Sequence, residues 1–189
     1  QALEHGLTGL EFAAGIPGTV GGALVMNAGA YGSEMKNVLV DAVLLTKDGA
    51  VIRRTGEELE LGYRTSNIPT EGLTVLEAEF RLQPGDKTEI LRVMNDLAGK
   101  RREKQPLEYP SAGSTFKRPE GYFAGKLIDD AGLRGFQVGG AQVSEKHCGF
   151  VINRDQATAA DVEELCRQVA EKVKEQSGVD LEMEIKRLG

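Results

Sequence analysis

Cysteine is scarce: the chain has two, Cys148 and Cys166, and no CxxC pair. That excludes a disulfide scaffold and leaves no cysteine cluster for a metal. Two separated thiols suit a reducing compartment. Proline is also sparse, at six residues, against collagen or low-complexity disorder. No run of about 18 apolar residues occurs, so no stretch reads as a membrane span. Positive charge is in the minority, 23 Lys and Arg against 29 Asp and Glu, for a net charge of −6. General nucleic-acid binding, which rests on neutralising phosphates, is therefore disfavoured. The densest basic cluster, Lys100 to Lys104, contains a Glu and reads as a solvated helix end. An initial Met and a signal-peptide pattern are lacking too. The opening Gln-Ala-Leu-Glu-His-Gly-Leu reads as a chain that has lost its natural beginning.

What is present is ordinary for a globular protein, 40% hydrophobic and 28% charged over 189 residues. A single domain of that length would bury roughly 70% of its unfolded surface, enough for a proper core. Gly15 to Gly32 holds six glycines, too many for a stable isolated helix. Asp48-Gly49, between apolar runs, signals a hairpin. Thr74 to Leu82 alternates as a half-buried strand, with Leu76, Ala78, Phe80 and Leu82 inward, and Pro84-Gly85-Asp86 ends it. Thr88 opens a helix that carries basic residues in its last turn and stops at Pro106. A second helix covers Tyr122 to Ala131. A third starts at the capping box of Thr158 and Asp161, and Val162, Leu165, Cys166, Val169 and Val173 form its apolar stripe. Glu163 and Arg167 are expected to pair on its wet face. Asp180 to Leu188 reads as a final strand. The composition shifts at Gln105–Pro110, the expected domain boundary.

Four segments could carry chemistry. Gly15-Ile16-Pro17-Gly18-Thr19-Val20-Gly21-Gly22, followed by Asn27-Ala28-Gly29-Ala30-Tyr31, lets backbone N–H groups approach a ligand, with phosphates the usual beneficiaries. It fits neither GxGxxG nor a P-loop, and a tightly packed turn would use the same glycines. Tyr63-Arg64-Thr65-Ser66 offers an arginine that is either a surface residue or a bidentate grip on a carboxylate or phosphate. Ser114, in Ser-Ala-Gly-Ser-Thr-Phe-Lys-Arg, lies outside a GxSxG elbow, and neither His5 nor His147 is ordered to serve it as a base. A hydroxyl that donates a proton or hydrogen bond, or a plain Ser/Thr turn, fits better. Glu184 lies on the polar side of the last apolar alternation, where spacing alone does not mark it.

In this order the segments GLEFAAGIPGTVGGALVMNAGAYG, YRTS, PSAGSTFKRP, GLRGFQVGGAQVSEKH, GFVIN and LEMEIKRLG resemble the UDP-N-acetylenolpyruvoylglucosamine reductases. The resemblance runs from Gly9 to Gly189 and is closest to the compact subtype. It implies an α+β chain in which residues 1–104 are the remaining half of an FAD-binding domain and 105–189 form a smaller α/β substrate domain. It also implies that the first part of the FAD-binding region is missing. The implied activity is NADPH- and FAD-dependent reduction of UDP-N-acetylglucosamine enolpyruvate in bacterial peptidoglycan precursor synthesis, in the cytoplasm. By the same resemblance Arg64 polarises the substrate carboxylate, Glu184 assists, and Ser114 delivers a proton with help from a cation such as Lys117. Gly15, Ile16, Pro17, Gly18, Gly21, Gly22, Asn27, Gly29 and Tyr31 are implied flavin contacts. Lys104, Arg118, Arg134, His147 and Asn153 are implied substrate contacts, with Arg118 standing where many members carry Asn. The partner is a small molecule, with no nucleic acid, membrane or metal. Two other readings are another flavin oxidoreductase of the same superfamily and a non-catalytic nucleotide-sugar-binding fragment.

Overall fold

The computed structural model describes residues 1–187, and contacts divide it into two compact units, Gln1–Lys100 and Arg101–Gly189. Helix and antiparallel sheet occur in both, so the chain is α+β.

In the first unit β1 (Leu7–Thr8) leads to α1 (Val20–Val25) and a small hairpin of β2 (Gly29–Ala30) and β3 (Ser33–Glu34). Then come β4 (Leu39–Leu45), β5 (Val51–Thr55), α2 (Ile68–Glu71), β6 (Thr74–Phe80), β7 (Gln83–Pro84) and α3 (Lys87–Lys104), whose last turn belongs to the second unit. β4 is the centre of a three-stranded antiparallel sheet in the order β5-β4-β6, and β1 pairs with β7. The hairpin between β4 and β5 closes at Thr46–Ala50, where Gly49 sits at φ +87° as the Asp-Gly signal requires. Leu24, Ala42, Leu44, Leu59 and Ile68 are fully buried and form the core beneath this sheet.

Three expectations are corrected here. Leu76 is half exposed, because a register shift opposite Val43 and Leu44 turns Val75 inward in its place, while Ala78, Phe80 and Leu82 pack inward as expected. The third helix of this unit begins at Lys87, with the Asp86 carboxylate accepting from the Glu89 N–H at 2.9 Å, so Asp86 and not Thr88 provides the cap. Within the glycine-dense segment a six-residue helix forms after all. Thr19 Oγ1 accepts from the Gly22 N–H at 3.1 Å, and burial of Leu24 supplies the tertiary packing that Gly21 and Gly22 do not.

The second unit contains β8 (Ser111–Ser114), α4 (Ala124–Asp130), β9 (Gln137–Val138), β10 (Ala141–Val143), β11 (Phe150–Asn153) and α5 (Ala159–Ser177). The strands form an antiparallel sheet in the order β8-β11-β10-β9, and α5 packs against β9 and β10. Its stripe is buried as the spacing predicts at Leu165, Cys166, Val169 and Val173, each such side chain contributing about 1.5–3 kcal/mol through its removal from water. Thr158 and Asp161 make the reciprocal cap, and Gly178 ends the helix at φ +74°. On the wet face Arg167 pairs with Glu164 and Glu171, while Glu163 reaches Arg187. The expected Glu163–Arg167 pair is thus replaced by the pairs of Arg167 with Glu164 and Glu171. The expected final strand is reduced to one bridge between Met183 and Phe116, flanked by backbone hydrogen bonds. Leu188, the last residue of that expectation, lies outside the described residues.

Candidate functional site

In the first unit, the glycine segment and the Tyr63–Ser66 turn lie side by side. Gly15, Pro17, Gly18 and Gly22 are exposed, Ile16 and Gly21 half-buried. Gly18 adopts φ +134° with open space where a Cβ would stand. Val20, Met26 and Tyr31 are exposed apolar side chains on the same stretch. Gly29 is required by packing, since a Cβ there would fall 2.7 Å from Glu34 Cβ and 2.8 Å from the Ser33 carbonyl.

Asn27 is fully buried at φ +43°, a left-handed conformation that Asn tolerates better than most residues. Its Nδ2 donates to the Gly62 carbonyl at 3.0 Å and its Oδ1 accepts from the Lys36 N–H at 2.9 Å. Gly62 and Thr65 close a tight turn by exchanging backbone hydrogen bonds, with Tyr63 and Arg64 at its tip. Arg64 is half-buried at φ +55°. Both of its terminal nitrogens donate to the Gly29 carbonyl at 3.3 Å, and its guanidinium lies 5.3 Å from the centre of the Tyr63 ring. The buried Ser66 hydroxyl donates to the Val25 carbonyl at 2.6 Å. Sequence reasoning did not single out Ser66, whose tether is a contact distant in sequence.

In the second unit Ser114 ends β8 opposite Phe150, with its side chain exposed. The next residue, Thr115, is buried and triply anchored. Its N–H donates to the Gly149 carbonyl at 2.9 Å, its Oγ1 accepts from the Val151 N–H at 2.9 Å, and its carbonyl accepts from the Glu184 N–H at 2.9 Å. The structure therefore brings Ser114 and Glu184 onto paired neighbouring segments. Lys117 N–H donates to the Glu182 carbonyl at 2.8 Å, and the Lys117 ammonium is ion-paired with the Glu182 carboxylate. That partner offsets the charge expected to assist Ser114.

Arg134, His147 and Cys148 form a second cluster. Arg134 grips Asp129 with two bonds, 3.0 and 2.7 Å, and also donates to the Glu145 carbonyl. His147 Nδ1 accepts from the Gly149 N–H at 3.0 Å, and its ring meets Phe150 edge-on at 5.1 Å. Burial pushes the imidazole below its ordinary value. A hydrogen bond of the ring with its own residue's backbone opposes that shift, and the charges of Arg134 and Lys104 add to it. Burial likewise pushes the Cys148 thiol up, and its Sγ stands 3.6 Å from Asp129 Oδ1. Arg118 is separate, with its Nε donating to the Tyr122 carbonyl at 3.1 Å and its guanidinium 3.8 Å over the Phe123 ring. Asn153 uses its side chain to accept from the Ala157 N–H at 2.9 Å, closing the turn into α5. Lys104 stands exposed in the last turn of α3.

Among the described residues no group of three His, Cys, Asp or Glu side chains could hold a metal ion. No described helix is long and apolar enough to cross a membrane.

A family model for the C-terminal domain of UDP-N-acetylenolpyruvoylglucosamine reductase matches residues 105–188, and one for an FAD-binding domain matches residues 1–55. UDP-N-acetylenolpyruvoylglucosamine reductase from Agathobacter rectalis is 64% identical over the whole of this chain, which covers 60% of that protein. The protein of that name from Lachnoclostridium phytofermentans is 61% identical over 189 residues, again all of this chain and 61% of the relative. The chain thus spans about three fifths of the length of these curated relatives. The crystal structure of the reductase from Thermus caldophilus is similar with a TM-score of 0.85 at 41% identity, over 98% of this chain and 67% of that one.

Proposed function

Because this chain belongs to the UDP-N-acetylenolpyruvoylglucosamine reductase family, we propose that it carries the substrate domain and part of the flavin site of an FAD- and NADPH-dependent enzyme. That enzyme reduces UDP-N-acetylglucosamine enolpyruvate to UDP-N-acetylmuramate for peptidoglycan synthesis. The observation that carries the reading is the pairing of a hydroxyl and a carboxyl segment, Ser114 beside Glu184, through the Thr115 carbonyl. A cytoplasmic location is part of the proposal, supported by two buried free thiols.

The first unit fits a flavin. Gly15, Pro17, Gly18 and Gly22 offer exposed backbone, with open space around Gly18, and Val20, Met26 and Tyr31 offer apolar surface for a flat ring. The Asn27 amide is engaged within the protein, so this residue would line such a site by its backbone. When bound, the flavin supplies the hydride, received from NADPH, that adds to the enolpyruvyl double bond.

The chain's own residues then handle charge and proton. Arg64 holds the substrate carboxylate, and its fork suits the negative charge that grows there as the double bond is reduced. Ser114 gives its hydroxyl proton to the carbon that does not receive hydride. Glu184, held on the adjacent segment, assists at the carboxylate. Lys104, Arg118, Arg134, His147 and Asn153 serve the nucleotide and sugar. Arg118, stacked on Phe123, presents a guanidinium already ordered for an anionic or planar group.

The test is to incubate the protein with added FAD, NADPH and the enolpyruvyl substrate under anaerobic conditions. NADPH should be consumed and a product heavier by one H2 should appear by mass spectrometry. Substrate binding without retained flavin or NADPH loss would favour a nucleotide-sugar-binding fragment instead.

A further inference from the structure

We propose that Asn27 and Ser66 are positioning residues that hold Arg64 in place for a substrate carboxylate, an inference resting on the role of Arg64 proposed above.

Arg64 is at a costly place in the backbone. It sits at φ +55° at the tip of a tight turn, a left-handed backbone that is strained for a non-glycine residue, and such a conformation persists only where the surroundings fix it. Three contacts bind this turn to one stretch of the glycine segment. Ser66 Oγ donates to the Val25 carbonyl at 2.6 Å, Asn27 Nδ2 donates to the Gly62 carbonyl at 3.0 Å, and the Arg64 guanidinium donates to the Gly29 carbonyl at 3.3 Å. The turn is held on both sides of Arg64, at Gly62 before it and Ser66 after it.

The Asn27 amide has one workable orientation. The Gly62 carbonyl can only accept and the Lys36 N–H can only donate, so Nδ2 faces the turn and Oδ1 faces Lys36. Asn27 itself is wholly buried, so losing either hydrogen bond leaves part of its own side-chain amide without water to replace the partner. Asn27 therefore couples the residues lining the candidate flavin loop to the turn that carries the carboxylate-binding arginine. Such a link would fix where the substrate's carboxylate lies relative to that loop, and a small misplacement at this distance from the chemistry is costly to the rate.

The experiment compares two ligands by isothermal titration calorimetry on the oxidised protein without NADPH. One is UDP-N-acetylglucosamine enolpyruvate and the other is UDP-N-acetylglucosamine, which lacks the carboxylate. Their affinity ratio reads the grip on the enolpyruvyl group, whose one charged part is the carboxylate. Asn27→Asp keeps an acceptor for Lys36 and removes the donor to Gly62, and Ser66→Ala removes the second tether with a minimal change in volume. Each should reduce the ratio by about tenfold or more, as expected when a charge-assisted pair is misaligned, while the affinity for UDP-N-acetylglucosamine holds. Arg64→Ala should also collapse the ratio, and adding Asn27→Asp or Ser66→Ala to it should change nothing further.

If Ser66→Ala, or a folded Asn27→Asp, weakened both ligands equally, or left the ratio intact while Arg64→Ala collapsed it, the positioning role would be wrong and the role of Arg64 would stand. Further loss of the ratio on top of Arg64→Ala would also overturn it. An intact ratio in Arg64→Ala itself would overturn both this inference and the carboxylate role from which it starts. Should Asn27→Asp fail to fold, Ser66→Ala decides the matter by the same criteria.

Discussion

The backbone N–H of Glu184 donates to the carbonyl of Thr115 at 2.9 Å, which sets Glu184 beside the residue that follows Ser114. The Thr115 side chain faces the other way, into the core, where its Oγ1 accepts from the Val151 N–H at 2.9 Å. One buried residue thus ties the end of β8, the start of β11 and the C-terminal segment together. Ser114 stays exposed at the edge of that junction.

Thr115→Val should lower stability by about 1–3 kcal/mol, because a near-isosteric methyl fills the space but leaves the Val151 N–H buried without its acceptor. Urea unfolding of the variant measures the loss. A midpoint unchanged from the parent would mean that Val151 finds another partner and that the junction is less dependent on this hydroxyl than its geometry implies.

Arg64 and Glu184 are assigned to the substrate carboxylate, so their replacement should divide the catalytic cycle. In Arg64→Ala and Glu184→Gln, reduction of the bound flavin by NADPH should keep its rate, and reoxidation by the enolpyruvyl substrate should fall by about 10²-fold or more, the range for removing one group that stabilises developing charge. Stopped-flow absorbance times the two steps separately. Equal slowing of both would point to damage at the flavin loop, not at the carboxylate.

What could be read from sequence was what depends on local periodicity. The capping box at Thr158, the stripe from Val162 to Val173 and the hairpin at Asp48-Gly49 are each encoded within a few residues, and each is found. Where the outcome depended on a partner distant in the chain, the reading failed or stopped short. The shift in β6 that exposes Leu76 follows from its pairing with β4, and alternation within the strand carries no trace of it. The Asp180–Leu188 alternation meets the Thr115–Lys117 segment at one bridge between Met183 and Phe116, so among its described residues it bridges without continuing as a strand. Glu163 went to Arg187 because the chain returns past α5. At the site, Arg64, Ser114 and Glu184 were named by resemblance, whereas Ser66 and Thr115, which hold the turn and the junction, were not singled out. The one local hint was Asn27 before Ala-Gly, a residue type that readily takes the left-handed backbone found there.

The two thiols should be inert in the native protein. Burial pushes Cys166 from an ordinary 9.0 up to about 11, and it also pushes Cys148 up. Both are therefore protonated at neutral pH, and the thiolate is the reactive form. A disulfide-exchange reagent should label neither quickly at pH 7 and both after unfolding, and elemental analysis should find no stoichiometric zinc. The raised folded value of Cys166 also sets a sign. Its contribution favours the folded state fully below about pH 9 and is lost as pH rises toward 11, so the urea midpoint should fall across that window. Cys166→Ala, compared with the parent at each pH, isolates this slope. Rapid labelling of Cys166 at pH 7 in the folded protein would contradict its burial on the α5 stripe.

Ser114 is assigned the proton, and that role predicts a sharper division than any other substitution. Flavin reduction involves the flavin and the nicotinamide, so in the full-length, flavin-loaded enzyme Ser114→Ala should leave it nearly unchanged. Reoxidation leaves a carbanion-like centre that needs a positioned acid, and loss of a general acid typically costs about 10²- to 10⁴-fold. An unactivated hydroxyl is a weak acid, and the nearest cation on its segment, Lys117, is already paired with Glu182. Relieving that pair with Glu182→Gln should free the ammonium and either preserve or raise the reoxidation rate. The same change placed on Ser114→Ala should have no effect, because the ammonium then has no hydroxyl to assist. Substitution of cysteine at position 114, a stronger acid of similar size, should recover part of the lost rate. Solvent deuterium should slow reoxidation in the parent protein and have less effect on flavin reduction. If Ser114→Ala slowed flavin reduction and spared reoxidation, the proton would have to come from another group, and Glu184 on the neighbouring segment would be the first to replace.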